Sequence, residues 1–297
     1  MSLDSVGRFA LDHASSLQCA LFVLIFAGGW ITEKVFFAQP AAQKLRHSAF
    51  NMAFLAAVTP VQLVTIAICI AVAQWNTAHR WGLVYLLPHA DSLWIQLGLM
   101  FLVLDFLDYV YHHTAHRIPF LWRLHLVHHS DQAVDVSTTF REHPMETLIR
   151  VSFLTLSVFI CGASLPVLIL RQTVESVANI SQHITFRLPP RAARRLGWVF
   201  VTPNLHHAHH HFQTPGTDCN YGDVFSIWDR IFGTFAPMAS DEIVFGVDTH
   251  MGAASVSFPG LLGVPQAVRA VRRRYRARSI FAEAGPSETQ AQAVQIS

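Results

Sequence analysis

The stretch "DFLDYVYHHTAHRIPFLWRLHLVHHS", Asp105 to Ser130, decides how the rest of the chain is read. It continues an uncharged run from Ser92 to Leu104 and turns, without a break in helical pattern, into histidine-rich sequence. His112 and His116 are four residues apart and share one face of a helix. Asp105 and Asp108 lie on that face two turns and one turn earlier, where a carboxylate could orient a ligating imidazole. Two aspartates at a membrane edge are otherwise costly, so both are candidate functional residues. His113 points about 100° away. His125, His128 and His129 follow at i, i+3, i+4, a ridge able to feed two adjacent metal ions.

Working outward, Leu17–Ile31, Ser48–Ala78 and Val151–Leu170 are also uncharged. About 20 such residues cross a bilayer. The composition agrees: 52% of residues are hydrophobic and 13% charged, against about 25% charged in ordinary soluble domains. Runs this long argue against buried helices of a soluble protein. The expected fold is all-α: an integral membrane helical bundle of about four transmembrane segments, with a cytosolic helical cap holding a histidine-rich dimetal site. Pro60 is a candidate kink. "GASLP", Gly162–Pro166, makes the last apolar run either one span or a hairpin dipping into the bilayer. Lys34, Lys44 and Arg46, and later Arg117, Arg123 and the run Arg269–Arg278, place the histidines and the C-terminus on the cytoplasmic side. The basic run suits anionic headgroups or a solvated face.

The expected division is residues 1–91 as N-terminal transmembrane helices, 92–236 as the histidine-bearing domain, 237–280 as a C-terminal cytosolic segment and 281–297 as a disordered tail. The first apolar segment lacks a cleavage signature, so no signal peptide is expected. A net charge of +2 gives no reason to expect nucleic acid. The four cysteines form no CxxC pair, so neither a disulfide framework nor a thiolate metal site is indicated.

Thirteen of the 18 histidines fall between His112 and His211. A third cluster, "TPNLHHAHHHF" (Thr202–Phe212), is ambiguous: His206/His209/His210 and His207/His210/His211 both fit i, i+3, i+4. His143 in "FREHPME" and His183 in "NISQHITF" stand alone, and a lone histidine is by default a satisfied polar group; clustered imidazoles nearby shift that balance. Eight or more imidazoles are too many for one ion and imply two. Imidazole-rich coordination with room for an exogenous ligand suits iron and oxygen chemistry. A bridging hydroxide, or Asp105 and Asp108, would offset part of the metal charge.

These blocks together resemble the fatty acid hydroxylase/sterol desaturase superfamily of membrane di-iron enzymes. The likeness rests on "DYVYHHTAHRIPFLWRLHLVHHS" (Asp108–Ser130), "REHPME" (Arg141–Glu146), "TPNLHHAHH" and "DCNYGDVFSIWDRIFGTF" (Asp218–Phe235), and covers roughly Leu93 to Phe235. It implies His206, His209 and His210 as ligands, because Pro203 stands three residues before His206, and makes His207 and His211 bystanders. It implies one metal held by His116, His125, His128, His206 and His209, and another by His112, His129, His183 and His210 with Asn179 or water. Asn179 replaces a histidine found in some members, and His143 is a possible substitute ligand. Asn220–Thr234 is expected to be a packed cap that buries Trp228 and Phe232 and pairs Asp229 with Arg230.

The resemblance further implies two Fe ions, replaceable by Zn on overexpression, with O2 as co-substrate, and a lipid from the bilayer as the molecule hydroxylated. Sterols, fatty acyl chains, carotenoids and ether lipids are all substrate classes of relatives. Desaturation on the same site is the neighbouring outcome. Gly162–Pro166 is a candidate wall of the lipid entrance. The chain has neither GxGxxG nor a cysteine cluster, so electrons are expected from a ferredoxin- or cytochrome-type donor, with Arg272–Arg274 as a candidate dock. A haem-binding electron-transfer protein would leave most histidines unexplained. A zinc protease lacks its HExxH. A metal transporter would place its ligands at mid-membrane.

Overall fold

The computed structural model describes residues 13–37, 40–92, 94–213, 217–249 and 257–263. The basic run Arg269–Arg278, with Arg272–Arg274, and the tail 281–297 lie outside the described residues. Ten α-helices and no strand are formed among them.

The uncharged runs become long helices. Helix α1 (Ala14–Phe36) is followed after Pro40 by α2 (Ala41–His79), which passes through Pro60 as one element and ends at Arg80 in the left-handed region. A π-helical turn, Trp94–Leu99, leads into α3 (Met100–Arg117). Pro119 at the start of α4 (Pro119–His129) lets a new helix begin one residue after the last ends. A 3-10 turn, Val136–Phe140, carries a capping box: Asp135 accepts from the Ser137 amide and the Asp135 amide donates to Thr138.

Helix α5 (Pro144–Cys161) ends at Gly162, and α6 (Leu165–His183) starts after Ser164. The run does not pass through "GASLP" as one helix: α5 and α6 are separate elements that meet at residues 162–164. Gly162 has φ +79°, and a Cβ there would meet the Trp81 carbonyl at 2.5 Å; a Cβ on Gly82 (φ +110°) would meet Gly162 Cα at 2.3 Å. The two glycines let the chain pass backbone to backbone.

Among the described residues, four segments are long and apolar enough to span a bilayer: Ser16–Phe36, Ala41–Leu86, Trp94–Arg117 and Pro144–Cys161. Only 6% of the first window and 17% of the second are buried inside the protein, so their apolar surface needs lipid. The chain is an integral membrane protein. Cys69 and Ala73 of α2, both small, let α5 pack closely through Leu154, Val158 and Cys161.

An unforeseen ionic network ties α1 and α2 to the histidine-bearing part. Lys44 Nζ is fully buried between Glu33 (2.8 Å) and Asp135 (3.0 Å). His47 bridges Asp131 (2.9 Å) and Asp135 (3.1 Å). The other Glu33 oxygen accepts from the Val136 and Thr185 amides. Burying charges is tolerable only when each is paired and hydrogen-bonded, as here. Three short helices complete the fold on the histidine side: α7 (Pro190–Leu196), α8 (Pro203–His209) and α9 (Ile227–Ile231); α10 (Phe258–Leu262) lies against Phe50 and Phe54 of α2.

Candidate metal centre

Four helices bring nine imidazoles together. His112 and His116 leave α3, His125, His128 and His129 leave α4, His183 ends α6, and His206, His209 and His210 come from α8 and its C-cap. Thr202 caps α8 by accepting from Leu205, and Pro203 fills its first turn. The rings form two adjoining groups, His112/His116/His125/His129/His209 and His128/His183/His206/His210, each with candidate donor nitrogens within 4.8 Å of one another. His129 stacks on His210 at 4.5 Å between centroids, across the join.

The hydrogen bonds fix the tautomers. The Nδ1 of His112 faces the Tyr221 carbonyl (2.9 Å), that of His183 the Asn179 carbonyl (2.8 Å) and that of His209 the Cys219 carbonyl (2.7 Å). A carbonyl only accepts, so each Nδ1 carries the proton and donates, leaving Nε2 with a bare lone pair. His125 Nδ1 donates to Glu146 (2.6 Å) and His116 Nδ1 to Asp218 (3.2 Å). Bare Nε2 atoms then face each other in two pairs, His112 and His125 at 3.2 Å and, with His128 Nδ1 on the Arg141 carbonyl, His128 and His183 at 3.1 Å; the Nε2 atoms of His183 and His206 stand 3.0 Å apart and those of His206 and His210 3.1 Å apart.

Lone pairs that close repel unless a cation lies between them. Two nitrogens each about 2.1 Å from one ion, at about 90–109°, stand about 3.0–3.4 Å apart. The observed spacings match. Among the described residues, neither nitrogen of His129 nor the Nε2 of His209 has a hydrogen-bond partner, although both rings are fully buried; leaving such groups unmet costs about 1–3 kcal/mol each. Burial, reinforced by neighbouring imidazoles, holds His128, His129, His206, His209 and His210 well below the ordinary histidine range; burial brings His125 and His183 down to about 4. Neutral rings are the ligand-competent form. The donor set thus fits two metal ions.

The grouping differs from the one the family resemblance implies. His112 and His129 join His116, His125 and His209, while His128 and His206 join His183 and His210. Asn179 is in neither group: its side chain accepts from Thr139 (2.6 Å), and its contribution is the carbonyl under His183. His143 caps α5, its Nδ1 accepting from the Met145 amide (3.0 Å). His207 accepts from Arg187 Nε, His211 from the Val244 amide, and His113 packs on Tyr109 and Tyr221.

The two aspartates do not orient imidazoles. Asp105 accepts from Trp228 Nε1 (2.7 Å) and the Val224 amide (3.1 Å), tying α3 to the closing segment. Asp108 pairs with Arg171 of α6 (2.7 Å) and lies in a third cluster with Glu175 and Asp223. The orienting carboxylates are Glu146 and Asp218, each inside a block already singled out for other residues. Asp229 does not pair with Arg230: it accepts from the Tyr221 and Gly222 amides and Thr234, and Arg230 stacks on Trp198 and Phe235. Phe232 is 53% exposed rather than buried, and stacks on Phe106 and Tyr109.

Arg141 holds the end of α4. Its guanidinium donates to the Val127 carbonyl, Ser130 Oγ and Asn51 Oδ1, while its own carbonyl accepts from His128 Nδ1 (3.3 Å). Against the cost of its burial, Arg141 and His47 hold the Asp131 carboxyl well below the usual range.

A cavity of about 380 Å³ reaches His112, His125, His128 and His206, so it touches both imidazole groups. Its apolar wall is Phe22 of α1 with Leu55, Val58 and Leu63 of α2. Residues 162–166, expected at the entrance, do not line it.

Residues 97–234 match the family model described as fatty acid hydroxylase. The chain is 32% identical over 150 residues to an ornithine lipid hydroxylase of Rhizobium tropici, covering 50% of this chain and 44% of that protein. It is 31% identical over 163 residues to an alkylglycerol monooxygenase of Caenorhabditis elegans, covering 54% and 31%. A cholesterol 25-hydroxylase-like protein of Danio rerio is 27% identical over 139 residues, covering 46% and 54%. The chain therefore spans roughly a third to a half of these relatives' lengths. No solved structure matches it significantly. The matched region, residues 97–234, encloses all nine clustered imidazoles, and together with these relatives it supports a place for the chain in the fatty acid hydroxylase/sterol desaturase superfamily.

Proposed function

We propose that the protein is a membrane-bound, O2-dependent lipid hydroxylase, an oxidoreductase that inserts one oxygen atom into a C–H bond. The observation that carries this reading is the cavity that joins imidazoles of both groups to an apolar wall built by the membrane helices. Relatives named as hydroxylases and monooxygenases support it. The nine histidines would hold two iron ions, which supply reductive activation of dioxygen; zinc would bind but has no redox chemistry. The balance is C–H plus O2, two electrons and two protons, giving C–OH and water. The electrons come from a separate one-electron donor protein.

The chain's own residues do three things in this scheme. Glu146, Asp218 and the carbonyls of Asn179, Cys219 and Tyr221 hold protons on Nδ1 and aim Nε2 inward. Arg141, Asn51 and the Lys44 network fix α4 against the hairpin. The wall at Phe22, Leu55 and Val58 holds an alkyl chain and excludes water from the reacting carbon. Residues 92–236 form the catalytic part and 1–91 its membrane hairpin. The centre faces the cytoplasm, as the basic loops suggest; a fluorescent protein fused to the C-terminus should light up only if that end is cytoplasmic.

The test is lipid extraction from cells with and without the protein, grown under 18O2. A lipid heavier by one labelled oxygen, missing in His128→Ala, is expected. Label entering from water, or full product from His128→Ala, would refute the assignment.

A further inference from the structure

The cavity is not uniformly greasy. Five carboxyl side chains line it, Asp108, Glu142, Glu146, Glu175 and Asp223, against three guanidiniums. Those cations are committed. Arg150 is held bidentately by Glu142 (2.8 and 3.0 Å). Arg171 forks between Asp108 and Glu175, at 2.7 Å to each. Arg141 spends its donors on Val127, Ser130 and Asn51. Among the described residues, Glu146 and Asp223 have no lysine or arginine paired with them. Glu146 is 4% exposed, and its Oε2 has no hydrogen-bond partner among those residues although the side chain borders the cavity.

Asp223 stands with the two acids that share Arg171. Asp108, Glu175 and Asp223 bring their oxygens within 4.8 Å of one another, three carboxyls to one guanidinium, and Asp223 Oδ1 lies 3.7 Å from His112 Nδ1. Arg171 already occupies this group, which disfavours a further divalent ion. The lining also includes Phe22, Leu55 and Leu63 of the membrane helices, and Leu63 is 63% exposed, so this wall reaches the lipid-facing surface. An amphiphile entering here meets apolar side chains with its tail and carboxylates with its head, and the carboxylates are the side nearer the imidazoles.

We propose that the cavity binds an ammonium-bearing amphiphile head-first, with its cationic head on Asp223 and Glu175 and its alkyl chain along α1 and α2. This rests on the lipid-hydroxylase reading for what the cavity serves, and on the cavity lining alone for what it selects. It sets the carbon nearest the metals close to the head, not at the tail end of the chain. An anionic head would face a surplus of carboxylates, and a neutral hydroxyl head would leave that surplus uncompensated.

The experiment uses short, water-soluble probes: octylammonium, octan-1-ol and octanoate, titrated calorimetrically into the purified, metal-loaded protein. Octylammonium is expected to bind about tenfold tighter than octanol, with octanoate weakest. Asp223→Asn should remove the preference while elemental analysis finds the metals still bound; Glu175→Gln serves as the second variant if the first does not fold. Equal binding of the three probes would overturn the proposal. So would a preference that survives both substitutions, or metal loss in both, which would assign the carboxylates to balancing the ions' charge. Head preference without any oxygenated product would defeat the hydroxylase reading and leave this one standing; product without head preference would do the reverse.

Discussion

Glu146 offers a way to perturb one metal site and leave the other alone. Its Oε1 lies 2.6 Å from His125 Nδ1, and the residue is 4% exposed, so solvent screens the contact little. A hydrogen bond to a charged group contributes about 1.5–3 kcal/mol and one between neutral groups about 0.5–1.5 kcal/mol. Glu146→Gln keeps an acceptor but loses the charge, costing about 1–1.5 kcal/mol, or about tenfold in affinity of the His125-containing site. Glu146→Ala removes the acceptor, and loss of such an outer partner typically weakens a site by about 10–100-fold. The second group, His128/His183/His206/His210, has no bond to Glu146 and should not respond. The assay is release of metal into graded chelator, with ions per chain counted by elemental analysis. The wild type should lose its two ions at similar free-metal levels. The variants should pass through a broad plateau at one ion per chain, wider for Ala than for Gln. Loss of both ions together, or release unchanged from wild type, would refute the idea that Glu146 serves one centre.

Five other substitutions and one pH series probe the rest of the structure. Asn179→Ala and His143→Ala should each keep two ions per chain by elemental analysis, because neither side chain reaches a donor group, whereas His183→Ala should lose one; His143→Ala should also cost about 1 kcal/mol as a lost helix cap, read from thermal unfolding. Lys44→Met leaves Glu33 and Asp135 buried without their cation and should cost about 3–5 kcal/mol; no fall in thermal stability would show the network to be ornamental. Gly82→Ala brings a Cβ to 2.3 Å from Gly162 Cα at φ +110° and should lower the yield of folded protein sharply; a normal melting curve would contradict the close crossing. For metal-stripped protein, burial lowers His125 and His183 from 6.5 to about 4. The unfolded chain then binds more protons than the folded one between those values, so stability is complete above about pH 6.5 and falls as the pH drops toward 4. At pH 5 the loss is about 2 kcal/mol per imidazole, measured by chemical denaturation at pH 7 and 5; equal stability at both would refute it.

The spans were legible because bilayer-length apolar runs have few alternatives, and the nine clustered imidazoles were legible because helical spacing puts them on common faces. The Lys44 network was not. Lys44 counts in sequence as a basic loop residue that orients the chain, and only the meeting of α1, α2 and the 131–141 loop shows it as a buried partner of Glu33 and Asp135. The acids were misread for a related reason. Asp105 and Asp108 share the helix face of His112, but α3 is pressed on that side by α6 and the closing segment, so Arg171 and Trp228 take them. Glu146 reaches His125 from another helix, and no spacing within α4 could announce it.

The division of ligands between the two centres was, by contrast, available from arithmetic that a family pattern overrode. At about 100° per residue, i and i+4 stand about 40° apart, while i+3 lies about 60° to the other side of i. His125 and His129 should therefore serve one ion and His128 the other; His206 and His210 should serve one and His209 the other; His112 and His116 should stay together. That is the grouping found. The implied division put His128 with His125 and split His112 from His116, which would require neighbouring rings on one helix to cross. The same geometry makes α4 and α8 each contribute to both centres, whereas α3 serves only the first and α6 only the second. The spacing between two bound ions would then be set by two helices, each contributing to both sites, and each helix is held from outside: Arg141 donates to the Val127 carbonyl near the end of α4, and Asn220 to the Leu205 carbonyl within α8. Loosening either contact should shift the two centres relative to each other before it empties them.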